Sequence, residues 1–208
     1  MPRIRATSID EHKALTRASL LASAKSLIAD AGTAEIPLGE IALASGVGRT
    51  TLYDYFVDRD DLIATMVEAE LPGVIDDLIT TSSRSGTAGK RLADLAMRTV
   101  EFVAGDPVLG LILHREVGRM GLEAQQRIRA AHSHLAEAMI GLYYEGVEAG
   151  EFRPMPAELA GRLIQDTIMS AAKSVISAAD PKQHTEMVTR HLRLFLLGGL
   201  SSGPLTIW

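Results

Sequence analysis

The chain has 208 residues, room for one sizeable domain or two small ones. Its 47% apolar and 23% charged residues are ordinary globular usage, which excludes intrinsic disorder. A net charge of −5 excludes a protein that coats nucleic acid or anionic lipid by bulk charge, so any basic footprint has to be local. With no Cys, disulfide scaffolds, thiolate metal sites and cysteine nucleophiles are excluded as well. Arg3 and Arg5 open the chain, but Asp10, Glu11 and Lys13 follow before any apolar segment forms, and no run reaches the length of a membrane span. The expectation is a soluble, cytoplasmic protein with no membrane partner.

In chain order, residues 13–31 carry apolar positions at helical period, with Leu20, Leu21, Ala24, Leu27, Ile28 and Ala31 as one stripe. Gly32 stands where a left-handed C-cap belongs. A short helix is predicted from Leu38 to Ser45, with Ile41 and Ala42 inward, and a second from Arg49 to Phe56 after the break at Gly46-Val47-Gly48. Asp58 can cap a long helix through Leu62, Ile63, Val67, Leu71 and Val74 to about Ile79. Pro72 inside it predicts a kink or a break. Thr80 to Gly89 is a low-complexity loop, after which helices are expected at 88–104, 107–120, 123–149, 156–179 and 183–198. Asp106-Pro107 is a cap followed by proline at the first helical position. Residues 150–154, Gly-Glu-Phe-Arg-Pro, form a turn between two long helices. No strand-like alternation is present, and the chain is predicted to be all-α.

Tyr53, Tyr55 and Phe56 bring three of the nine aromatics within four residues, on a short helix that follows another across a glycine turn. That is the layout of a helix-turn-helix, which needs small residues at the turn so that two helices meet steeply. Ala42, Ala44, Ser45, Gly46 and Gly48 supply them. Val47, Leu52 and Phe56 are expected to face inward, leaving Arg49, Thr50, Thr51, Tyr53, Asp54 and Tyr55 outside.

The stretch from Ile41 to Leu62, IALASGVGRTTLYDYFVDRDDL, resembles the signature of tetracycline-repressor (TetR) family regulators, with Gly32 at the family's usual spacing before it. The resemblance implies a dimeric, ligand-responsive transcription factor, most often a repressor. It implies a three-helix DNA-binding domain at 1–57 and a ligand-binding and dimerisation domain at 58–208. Carried over by position, Arg49, Thr50 and Thr51 would enter the major groove, and Tyr53, Tyr55 and Arg59 would meet phosphates. The chemistry fits: an Arg can donate twice to guanine, and threonine methyls suit the thymine methyl. Three positions depart from the pattern. Pro37 replaces a Ser or Thr cap, Gly48 supplies no hydroxyl at the recognition-helix cap, and Asp54 places an anion on the DNA-facing helix. Over residues 1–65, seven Lys and Arg stand against nine acids, so binding would rest on a few placed cations with a shallow salt slope.

In the second half His132, Leu135, Met139 and Tyr143 share one helix face at the predicted spacing. With Met97, His114, Arg115, Met120, Asp166 and Met169 they are candidate contacts for a small, mostly apolar effector. His114 and Asp166 stand out as polar residues among apolar ones. Small residues at 157–174 and the face Val188, Leu192, Phe195 and Leu196 predict a four-helix bundle between two chains. The apolar tail Pro204, Leu205, Ile207 and Trp208 is expected to cover the partner. No metal, cofactor or catalytic group is expected. His132 and His134 face opposite sides of a helix, His184 and His191 lie about 10 Å apart along one, and no phosphate loop or nucleophile elbow is present. The alternative is a dimeric ligand- or protein-binding module of the same fold without sequence-specific DNA binding.

Overall fold

The computed structural model describes residues 2–203, without the side chains of 2–8, 107, 181 and 182. The side chains of Arg3 and Arg5 and the tail from Pro204 to Trp208 therefore lie outside the described residues. The described chain is helical, as its composition predicts, with one isolated antiparallel bridge between Phe152 and Ser201. It divides into two compact units, residues 1–68 with 111–128, and residues 69–110 with 129–208. Among the described residues no helix is long and apolar enough to cross a membrane.

The first unit begins with α1 (Pro2–Ala31), α2 (Leu38–Ala44) and α3 (Arg49–Tyr53). Leu20, Ala24 and Ile28 of the expected stripe are buried, Leu21 and Leu27 half-buried, and Ala31 exposed. Gly32 ends α1 at φ +64°, and Gly46 turns the chain between α2 and α3 at φ +71°, both in the left-handed region where glycine is unstrained. The recognition helix is shorter than expected: α3 stops at Tyr53, and Asp54 to Phe56 continue it only as a turn bonded back to Thr51 and Leu52. Next comes α4 (Arg59–Thr81), capped by the Asp58 carboxylate, which accepts the Asp61 N–H at 2.8 Å. Pro72 does not end it. The helix continues to Thr81, with Leu71 and Ile75 buried on either side of the proline.

In the second unit α5 (Ala88–Gly105), α8 (Ser133–Glu148), α9 (Ala157–Ile176) and α10 (Pro181–Leu200) surround one core. The helix expected at 107–120, whose residues from Leu111 on belong to the first unit, is instead α6 (Pro107–Leu111), a π-helical turn at Ile112–Glu116 and a 3₁₀ turn at Val117–Arg119. Asp106 caps α6 as predicted, accepting the Val108 and Leu109 N–H groups. The helix expected at 123–149 is two, α7 (Leu122–Ala131) and α8, because the His132 N–H bonds back only three residues, to the Arg129 carbonyl.

The turn after α8 is the knot of this unit. Gly150 has φ +72°, and the Glu151 carboxylate accepts the Ala88 and Gly89 N–H groups at the start of α5. Arg153 N–H donates to the Leu200 carbonyl and Ser202 N–H to that of Glu151, which fixes the end of α10. The Tyr143 hydroxyl donates to the Arg153 carbonyl and accepts the Met155 N–H, while its ring stacks on Phe152 at 6.0 Å.

Candidate nucleic-acid interface and effector residues

Leu52 and Phe56 lie against the core of the first unit at 0% and 1% exposure, and they fix which side of α3 faces out. Arg49, Thr50, Tyr53 and Asp54 are exposed; Thr51, Val47 and Tyr55 are half-buried. The Arg49 guanidinium lies over the Tyr53 ring at 5.9 Å and reaches its hydroxyl at 3.5 Å, a long hydrogen bond one helical turn away. Neither Pro37 nor Gly48 forms a side-chain cap bond, in line with their departure from the pattern. Arg59 is half-buried and pairs with Asp60 at 3.4 Å.

A cluster without a sequence signature lies beside this helix. Arg127 of α7 reaches α4, donating to Asp61 and Glu68 at 2.6 and 2.7 Å and to the buried Thr65 hydroxyl at 2.9 Å. Burial pushes the Asp61 carboxyl up, but hydrogen bonds from Arg127 and the Val57 N–H outweigh it and hold the group below its ordinary 3.8. Hydrogen bonding from Arg127 likewise holds Glu68 below its ordinary 4.5 against a smaller push from burial. Carboxyls depressed on folding contribute stability above their unfolded values and lose it as pH falls through the folded ones. The cluster's contribution to the first unit should therefore be full above about pH 5 and fall below about pH 4, giving a shallower acid slope of melting temperature in Arg127→Ala. Thermal melts at stepped pH read this, and equal slopes in the two proteins would remove the cluster from the acid response.

The expected effector contacts are divided between the units. In the first, Met120 is buried, His114 half-buried in the π turn, and Arg115 exposed. In the second, Met139 and Tyr143 belong to the core, Met97 and Met169 are half-buried, and His132 stands half-buried at the start of α8. Asp166 is exposed on α9, so the argument from a buried polar group does not apply to it. Of the α10 face expected to pack on α9, Leu192 and Leu196 are buried in the core that the two helices share, and Val188 is packed against that core. Leu159, Leu163, Met187, Leu194 and Phe195 are the large apolar residues that α9 and α10 leave exposed.

Two short helices joined by a glycine turn, with the second exposed along a polar face, define an all-helical helix-turn-helix regulator. Residues 20–66 match the family described as bacterial regulatory proteins, tetR family, and residues 85–173 match a tetracyclin repressor-like C-terminal domain. The chain belongs to the TetR family of transcriptional regulators. It is 25% identical over 150 residues to the fatty acid metabolism regulator protein of Bacillus subtilis, spanning 72% of this chain and 77% of that one. It is 24% identical over 173 residues to an uncharacterized HTH-type transcriptional regulator of Mycobacterium tuberculosis, spanning 83% and 86%. Its fold is similar to that of FadR from Bacillus subtilis in complex with stearoyl-CoA, with TM-score 0.69, 22% identity, and 84% and 96% of the two chains covered.

Proposed function

We propose that the protein is a repressor that binds a near-palindromic operator as a homodimer and is released by a small, mostly apolar effector. The observation that carries this reading is the orientation of α3, whose Leu52 is buried while Arg49, Thr50 and Tyr53 face solvent. Residues 1–57 form the DNA-binding part and 58–208 the ligand-binding and dimerisation part. Arg49, Thr50 and Thr51 touch base edges, and Tyr53, Tyr55 and Arg59 hold the phosphate backbone. In the free protein Arg49 rests on Tyr53; on DNA the guanidinium turns to a guanine. The exposed Leu194 and Phe195 support pairing of α9 and α10 with those of a second chain, which would put two recognition helices in successive major grooves.

Effector binding within the second unit, by residues drawn from Met97, His132, Met139, Tyr143, Asp166 and Met169, would favour a conformer with poorer DNA fit. The panel for release includes free fatty acids and acyl-coenzyme A thioesters, whose acyl chains are the apolar part, because FadR of Bacillus subtilis forms a complex with stearoyl-CoA. Selection of duplexes from a random library at two salt concentrations tests the reading. An inverted repeat whose enrichment falls with salt is the expected result. Arg49→Ala should then weaken binding to that duplex by about 1–3 kcal/mol and relax one base position, with unchanged melting. Enrichment of nothing by ligand-stripped protein would favour a binding module without operator recognition, the reading that exposed Asp54 supports.

A further inference from the structure

Arg127 lies outside the helix-turn-helix, yet its guanidinium is spent on the start of α4. Nε and Nη2 grip the two oxygens of Glu68 at 2.9 and 2.7 Å, and Nη1 donates to Asp61 Oδ1 at 2.6 Å. Asp61 has a second engagement. Its Oδ2 accepts the Val57 N–H at 3.0 Å, immediately after the turn that closes α3. Two hydrogen bonds thus connect Arg127 to the backbone where the recognition helix ends. Asp60 joins the same two helices once more, accepting the Gly121 N–H at 2.8 Å at the entry to α7.

We infer that Arg127 is a positioning residue for DNA binding, acting through Asp61 to hold the exit of the recognition helix. The inference rests on the proposed operator binding. An Asp side chain free in solvent samples several rotamers, whereas one bonded to both Arg127 and Val57 is held in one. The three charged side chains remain 26–39% exposed, a setting in which ion pairs add little to global stability. Beyond the modest acid-sensitive stabilisation, the contribution of the cluster is geometric, and at neutral pH it is read by DNA affinity and local exchange. Glu68 is the internal control, because it binds Arg127 without touching the α3–α4 turn.

The test uses the full chain, the inverted repeat selected by the wild type, and the variants Arg127→Ala, Arg127→Lys and Glu68→Ala. Arg127→Ala should lower affinity by about tenfold, with Lys restoring part of it and Glu68→Ala staying within about threefold. Amide hydrogen exchange without DNA should rise over residues 53–58 in Arg127→Ala and stay at the wild-type level in Glu68→Ala. Wild-type affinity and exchange in Arg127→Ala would overturn the inference, as would equal losses in both alanine variants. If the wild type enriches no duplex, the operator reading falls and takes the DNA-positioning role with it. Exchange at 53–58 then shows whether the Arg127–Asp61–Val57 connection itself exists.

Discussion

Phe56→Ala is expected to destabilise the first unit by about 3–5 kcal/mol, the usual cost of deleting a buried aromatic ring. The ring is 1% exposed, and the Phe56 N–H bonds to the carbonyl of Leu52, itself fully buried. Phe56 therefore does two things. It fills the space beneath the recognition helix, and it ends that helix's last turn. A loss of this size is a large fraction of the net stability of a domain, so a substantial share of first units would be unfolded near physiological temperature. Hydrogen exchange should rise across residues 38–67 while α5, α8, α9 and α10 keep their protection, because the two units need not unfold together. Phe56→Leu, which keeps more of the buried volume, should lose less. The contrast with Arg49→Ala is informative: there DNA binding falls with melting unchanged, whereas in Phe56→Ala both fall. Unchanged protection in Phe56→Ala would mean that the head does not depend on this ring.

What was legible in the sequence follows from the range of each interaction. The helix-turn-helix could be read because its parts are local: a glycine turn, a buried Leu52 and Phe56 four residues apart, and an aspartate cap three residues before its N–H donor. Gly32, Asp106 and Gly150 were readable for the same reason, each being a terminus whose chemistry lies within one turn. The break at His132 and the π turn at Ile112–Glu116 were not, since the sequence on either side keeps its helical period. Arg127 and Asp61 are 66 residues apart, and no spacing rule connects them. Asp166 shows the limit of reasoning from a polar residue among apolar ones: on α9 it lies on the solvent side, and Ile164 and Ile168, two residues to either side of it and so across the helix, take the inside. Of the α10 face read from the sequence, Leu192 and Leu196 share a core with α9 in the same chain, while Phe195 is exposed beside Leu194.

The second large effect concerns the turn after α8. A Cβ at Gly146 would lie 2.2 and 2.5 Å from two ring carbons of Phe152, so Gly146→Ala requires something to move. The ring has little freedom to do so. It is 3% exposed and stacked on Tyr143, and the Phe152 N–H is bonded to the Gly146 carbonyl itself at 3.0 Å. Moving it would also disturb the turn whose Glu151 carboxylate caps α5. Overpacking of this kind costs about 1–3 kcal/mol and sometimes more, read as a lower urea midpoint for the second unit. Two other glycines grade the expectation. At Gly89 the nearest atoms to a Cβ, on Leu197, Glu151 and Phe152, lie at 3.1 to 3.3 Å, so Gly89→Ala should cost less. At Gly141, within α8, nothing lies within 4 Å, so Gly141→Ala should stabilise by up to about 1 kcal/mol through helix propensity alone. In a Phe152→Ala background the cost of Gly146→Ala should disappear, because the atoms it meets are gone. Equal midpoints for the Gly146 and Gly141 variants would mean that the ring yields freely. The turn would then owe its geometry to its hydrogen bonds and not to the contact of the Phe152 ring with α8.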